Sequence, residues 1–131
     1  MDKEFEIVEL TLNDLPKCSS FWEVMNDSRL VDRKTFAYKI GDEYVGGCAL
    51  FKRYEKCGHL SHFSVRSDLR GNGIGSRILE FAINHFKETG MEIMRLHVFK
   101  NNPDAIRLYE RYGFKNTEDI TPEKIAMIKT L

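Results

Sequence analysis

Between a strand-like stretch and a helix-like one, the chain runs Arg70-Gly71-Asn72-Gly73-Ile74-Gly75-Ser76. Three glycines at alternate positions permit backbone dihedrals closed to other residues and let main-chain N–H groups approach a ligand. The helix that follows offers N–H groups with no intrahelical partner and the positive end of its dipole. Arg70 adds a planar cationic fork suited to phosphate. Strand, glycine turn and helix start in that order make a pyrophosphate cradle, and they commit the chain to a sheet with a helix packed on it. Two common cradles are excluded by spacing. A P-loop ends in Gly-Lys-Ser/Thr, whereas Gly75 is followed by Ser76-Arg77. The dinucleotide fingerprint G-x-G-x-x-G fails because Ser76 holds the place of the third glycine, and the next strand ends in Phe99-Lys100-Asn101-Asn102 without an acidic ribose ligand.

The flanking patterns fit that frame. Phe5 to Leu10 alternates apolar and polar residues as a half-buried strand does. Leu15, Cys18, Trp22 and Met25 then recur at helical steps, predicting a short helix from Thr11 to about Asn26. Phe36 to Ile40, a turn at Gly41-Asp42-Glu43 and Tyr44 to Tyr54 read as a hairpin, with Gly46-Gly47 marking a bulge. A turn at Lys56-Cys57-Gly58 leads into a strand from His59 to Val65. Ile74, Ile78, Leu79, Ala82, Ile83 and Phe86 form the apolar stripe of a helix ending near Gly90. Met94 to Phe99 is a strand. Asn102 caps a helix with Pro103 in its first turn, Ala105, Leu108, Tyr109 and Tyr112 on its buried face, and Gly113 as its left-handed stop. Phe114 to Ile120 and Ile125 to Leu131 close the chain. The order β-α-β-β-β-α-β-α-β-β predicts a mixed α/β fold, and a helix between strands 59–65 and 94–99 makes that pair parallel.

Composition narrows the class. At 131 residues, without repeats or a Pro/Ser-rich linker, one domain over 1–131 is expected. Twenty Lys and Arg balance twenty Asp and Glu, which argues against a dedicated nucleic-acid partner. Apolar stretches fall far short of the ~20 residues that span a bilayer, and Met1-Asp2-Lys3-Glu4 is unlike a signal peptide. A cytoplasmic protein without membrane association is expected. The cysteines Cys18, Cys48 and Cys57 are odd in number and read as free thiols, the first two as small core residues. A metal site at Cys57-x-His59-x-x-His62 is not expected, because a regular strand turns His59 and His62 to opposite faces and no second ligand pair follows.

The pattern Arg-x-x-Gly-x-Gly at 70–75, followed by Asn102-x-x-Ala105-x-x-x-Tyr109-x-x-x-Gly113-Phe114, resembles the GNAT superfamily of acyl-CoA-dependent N-acetyltransferases. The resemblance covers nearly the whole chain, with the motif-bearing core at 59–114. It implies a mostly antiparallel mixed sheet of about six or seven strands, flanked by about three or four helices. The central parallel pair would splay into a V-shaped slot for acetyl-CoA. Carried over to this sequence, Phe63 and Val65 would offer main-chain groups to the pantetheine arm. The N–H groups of Arg70, Gly71, Asn72, Gly73, Ile74, Gly75 and Ser76 would bind the pyrophosphate. Asn102 would lie near the pantetheine and Tyr109 near the sulfur.

The implied reaction is direct transfer of acetyl from acetyl-CoA to a primary amine in a ternary complex. The amine must lose a proton before attack and the departing thiolate must gain one. By resemblance the Val65 N–H is the oxyanion donor and Tyr109 the general acid. The plain alternative for Tyr109 is packing in its helix. For the base, His59 matches a position that carries histidine in some relatives, and His97 one that carries glutamate in others. His62 joins them only if a bulge changes its face, and His85 lies on the helix, away from the expected slot. A water relay is the remaining option. Acceptor choice would rest on residues 12–34 and the last hairpin. Their shortness implies an open slot for a small amine or a peptide terminus. A non-catalytic acyl-CoA-binding or regulatory module of the same fold is the rival reading, and a homodimer is left open.

Overall fold

The computed structural model describes residues 5–11 and 34–131. The helix expected over Thr11 to Asn26, Cys18 included, falls on residues outside the described ones. Among the described residues, seven strands form one sheet in the order β1-β2-β3-β4-β5-β7-β6. They are β1 Phe5–Glu9, β2 Lys34–Ile40, β3 Glu43–Tyr54, β4 Cys57–Val65, β5 Ile93–Phe99, β6 Lys115–Thr121 and β7 Lys124–Thr130. Helix α1 is Ile74–Glu88 and α2 is Pro103–Arg111. A single 3-10 turn, Ser67–Leu69, follows β4. The expected mixed sheet with one central parallel pair is present: β4 and β5 run parallel over Cys57–Leu60 and Ile93–Leu96. Two compact units share the chain, Met1–Phe51 with His62–Phe81 and Lys52–Ser61 with Ala82–Leu131.

In the first unit, the antiparallel register of β2 and β3 steps from Tyr38↔Gly46 to Lys39↔Tyr44, so Val45 is the extra residue of a bulge beside the glycine pair. Gly46 itself is required by close packing. A Cβ there would stand 2.7 Å from the Ser64 carbonyl and 2.9 Å from Ile78 of α1. Phe36 of β2 meets Phe81 of α1 edge to face at 4.8 Å. Phe5 stacks on Tyr38 at 5.3 Å, and the Arg77 guanidinium lies 3.9 Å from the Phe5 ring centre. Cys48 is fully buried, and burial pushes its thiol up to about 12, which leaves it a packing group and not a nucleophile.

In the second unit, the alternation of β5 is sharp. Met94, Leu96 and Val98 are buried on one face, and Arg95, His97 and Phe99 stand on the other. The turn before β4 lies at Glu55-Lys56 and not at Lys56-Cys57-Gly58, with Lys56 itself at φ +65°. Gly58 serves a different need. Its missing side chain makes room for the Phe86 ring of α1, which a Cβ would meet at 2.4 Å. Gly58→Ala should therefore destabilise the fold by about 1–3 kcal/mol, the usual cost of overpacking, with a lower denaturant midpoint at unchanged slope. Phe114, Met94, Leu96 and Met127 are among its fully buried side chains. Strand β6, last in the sheet order, is exposed at every residue, and its register with β7 slips between Asn116 and Glu118 and again between Asp119 and Thr121.

Candidate active site

Phe63, Val65 and the glycine loop belong to the first unit, and His59, His97, Asn102 and Tyr109 to the second. Each set is organised within its own unit.

The loop starts from the end of β4. Arg66 donates from its backbone N–H to the Val45 carbonyl at 2.7 Å, and its guanidinium is held by both oxygens of Asp68 at 2.7 and 3.2 Å. Asp68 in turn is held below the usual carboxylate range by that hydrogen bond. Arg70 folds back and donates from Nε to the Val65 carbonyl at 3.1 Å, and Asn72 donates from Nδ2 to the Leu69 carbonyl at 2.9 Å. These bonds fix a short exposed path into α1. Gly71 and Gly73 take φ +84° and +79°, the left-handed region, and nothing stands within 4 Å of where either Cβ would be. The N–H of Arg77 donates to the Gly73 carbonyl at 3.2 Å, which opens the helix and leaves the N–H groups of Ile74, Gly75 and Ser76 outside its ladder. Arg77 is occupied by Phe5, so the donors of this first turn are main-chain groups. The arrangement fits a diphosphate: a backbone unobstructed at Gly71 and Gly73, a dipole end and one cation.

In the second unit, strand register brings two histidines together. His59 of β4 lies opposite Arg95 of β5, and the His59 and His97 rings meet edge to face at 4.9 Å. His59 is 5% exposed. The buried Nε2 of His97 has no hydrogen-bond partner among the described residues. Burial holds the His97 imidazole below its ordinary pKa, and the positive Arg95, Arg53 and Lys124 add to that, against the opposing charge of Glu118. His97 is thus a neutral acceptor at physiological pH. His62 takes φ +53°, a distortion that breaks the plain alternation of β4 and with it the opposite-face argument. His85 is on α1, its ring 5.9 Å from Phe86.

Asn102 performs its capping role, accepting at Oδ1 from the Ala105 N–H at 3.3 Å, with Pro103 in the first turn. Tyr109 is 5% exposed and lies edge to face with Phe114 at 5.8 Å. Its carbonyl accepts from the N–H groups of Tyr112 and Phe114, and Gly113 at φ +92° completes the helix end. Both readings of Tyr109, packing and chemistry, start from this anchored position. Arg95, Arg53, Lys124 and Glu118 were not singled out from the sequence. The alternation of Arg95 and His97 within an otherwise apolar strand was the available signal for the first of them. Among the described residues no group of three His, Cys, Asp or Glu side chains is placed to hold a metal ion.

A family model described as acetyltransferase (GNAT) matches residues 5–114. The spermine/spermidine N(1)-acetyltransferase of Bacillus subtilis (strain 168) is 39% identical over 75 residues, 55% of this chain and 49% of that protein. A mycothiol acetyltransferase of Streptomyces coelicolor is 30% identical over 76 residues, 58% of this chain and 23% of that protein. The chain thus spans about half, or less, of the length of these relatives. The PaiA N-acetyltransferase of Thermoplasma acidophilum, solved in complex with coenzyme A, shares the fold at TM-score 0.84 and 19% identity, over 98% of this chain and 99% of that one.

Proposed function

The chain belongs to the acetyltransferase (GNAT) family, and from that premise we propose that residues 1–131 act as one domain that transfers acetyl from acetyl-CoA to a primary amine. The observation that carries this reading is the unobstructed glycine loop: Gly71 and Gly73 are left-handed, with open space above both, ahead of a helix of 15 residues. When bound, acetyl-CoA supplies the activated thioester. The chain's own residues do the rest. The N–H groups from Arg70 to Ser76 hold the diphosphate, Arg70 neutralises part of its charge, and Phe63 and Val65 offer main-chain groups to the pantetheine. By the family resemblance the N–H of Val65 is the donor to the acyl oxygen. A C–N bond forms as the C–S bond breaks. The proton lost by the amine goes to His97 or His59, and Tyr109 returns one to the sulfur. Asn102 borders the pantetheine.

His97 makes this reading sensitive to pH in a stated direction. A base must be deprotonated, and its lowered pKa means that it remains so below the ordinary histidine range. The limb of the kcat/KM profile that His97 sets should therefore lie below about 6.5, the unperturbed imidazole value, beneath the separate rise that deprotonation of the free amine brings. His97→Gln should remove that limb while leaving acetyl-CoA affinity unchanged.

The whole proposal is tested by thiol release from acetyl-CoA over a panel of amines, run beside acetyl-CoA binding by calorimetry. Turnover with any amine class supports it. Binding with no turnover across polyamines, arylalkylamines, amino acids, aminoglycosides and peptides favours a non-catalytic acyl-CoA module. Absence of binding removes the cradle.

A further inference from the structure

The face of β5 that carries His97 is unusual for its charge. In a chain of zero formal net charge, this face gathers Arg53, Arg95 and Lys124 around the His59–His97 pair, with Glu118 as the opposing carboxylate. Strand register fixes all of these but Arg53, whose charge also bears on His97. His97 lies opposite Ala126 of β7, which lies opposite Glu118 of β6, and Phe99 lies opposite Lys124. Arg95 donates from Nη2 to Glu118 Oε1 at 3.0 Å. That one ion pair consumes the carboxylate. The neighbouring β6 carboxylate, Asp119, is already engaged by Lys100 at 3.0 Å.

Arg95 is left incompletely satisfied. It is 6% exposed, and its Nε is buried with no hydrogen-bond partner among the described residues. A buried charged donor without a partner costs stability, so its persistence calls for a ligand that supplies the acceptor. Lys124 lies 4.9 Å above the Phe99 ring, an apolar seat for its stem, and makes no ion pair among the described residues. Arg53 is likewise without an ion pair there. A polyamine brought to this face would meet like charge at every one of these groups, at a cost that burial enlarges.

We infer that the acceptor is an amine that also carries a carboxylate, such as an amino acid or the terminus of an acidic peptide, bound through Arg95, Lys124 and Arg53 beside the histidine pair. The inference rests on the acetyltransferase reading and departs from the polyamine acceptors named for the Bacillus relatives. The carboxylate sits on the cations while the amine faces an imidazole able to take its proton. Specificity then comes from repulsion of cationic amines as much as from attraction of anionic ones.

The test compares kcat/KM for glutamate, an acidic-terminus peptide, a neutral arylalkylamine and spermidine, with acetyl-CoA affinity measured in parallel. Both acidic amines, or one of them, should exceed spermidine by about tenfold or more, as a charge-assisted contact implies. The glutamate and peptide arms separate the two sources of carboxylate. Lys124→Glu and Arg53→Glu, both away from the buried core, should each raise KM for the acidic amine by about tenfold and narrow its advantage over spermidine. Added salt should raise that KM as well. Spermidine preference, or a preference unmoved by both reversals, overturns the inference. A second readout does not need turnover: glutamate added to the protein saturated with coenzyme A should shift the His97 imidazole resonances followed by NMR. An unmoved His97 rejects the carboxylate site even where transfer is seen with another amine. Loss of acetyl-CoA binding itself counts against the acetyltransferase reading, and the same titration on the free protein still decides the carboxylate site.

Discussion

Gly73→Asp is expected to raise the dissociation constant for acetyl-CoA by about 100-fold or more. Two effects add. Gly73 sits at φ +79°, where a residue with a β-carbon is strained, and the new carboxylate would stand at the mouth of a cradle whose other groups all favour negative charge. The fold should survive, since no atom lies within 4 Å of the added Cβ. Gly73→Ala separates the contributions: it keeps the backbone strain, omits the charge and should lose only about tenfold. Calorimetric titration with acetyl-CoA, with circular dichroism to check folding, reads both. A folded Asp variant with wild-type affinity would mean that the loop does not hold the diphosphate.

Tyr109→Phe should lower kcat by about 100-fold, within the range usual for a lost proton donor, while acetyl-CoA affinity stays within about twofold. Phenylalanine keeps the edge-to-face contact with Phe114 and removes the phenol oxygen alone. That makes the substitution a clean separation of chemistry from packing. Equal losses in kcat and in affinity would identify Tyr109 as a packing residue. An alternative leaving group tests the same point, since an acyl donor with a more acidic thiol should recover much of the lost rate in the variant.

Local chemistry made most of the fold readable. The stripe from Ile74 to Phe86, the Asn102-Pro103 start and the Gly113 stop each act within one or two helical turns, and each lies where its residues indicate. The parallel pairing of β4 with β5 followed from the crossover rule. Gly58 shows the limit. Its turn-like position hid a role set by Phe86, 28 residues later, which only tertiary packing brings over it. Lys56 shows the converse, a left-handed residue with no glycine or asparagine to announce it. The open glycine loop was legible because its conformation is carried by consecutive residues. The cationic face around His97 was not, because Arg53, Arg95, Lys124 and Glu118 come from four strands, and the last three meet only through register. Residues 12–33, where a first helix was expected and on which acceptor choice was expected to depend, lie outside the described residues.

The outer strand β6 has a consequence for how this protein behaves in concentrated solution. A strand at the margin of a sheet exposes a row of backbone donors and acceptors on which another chain can template itself. Here that margin bears Lys115, Glu118 and Asp119 and changes step twice along its length, so an incoming strand would find neither a continuous ladder nor charge-free flanks. Two copies are therefore disfavoured from zipping together along β6. The edge is thereby built against strand-to-strand aggregation.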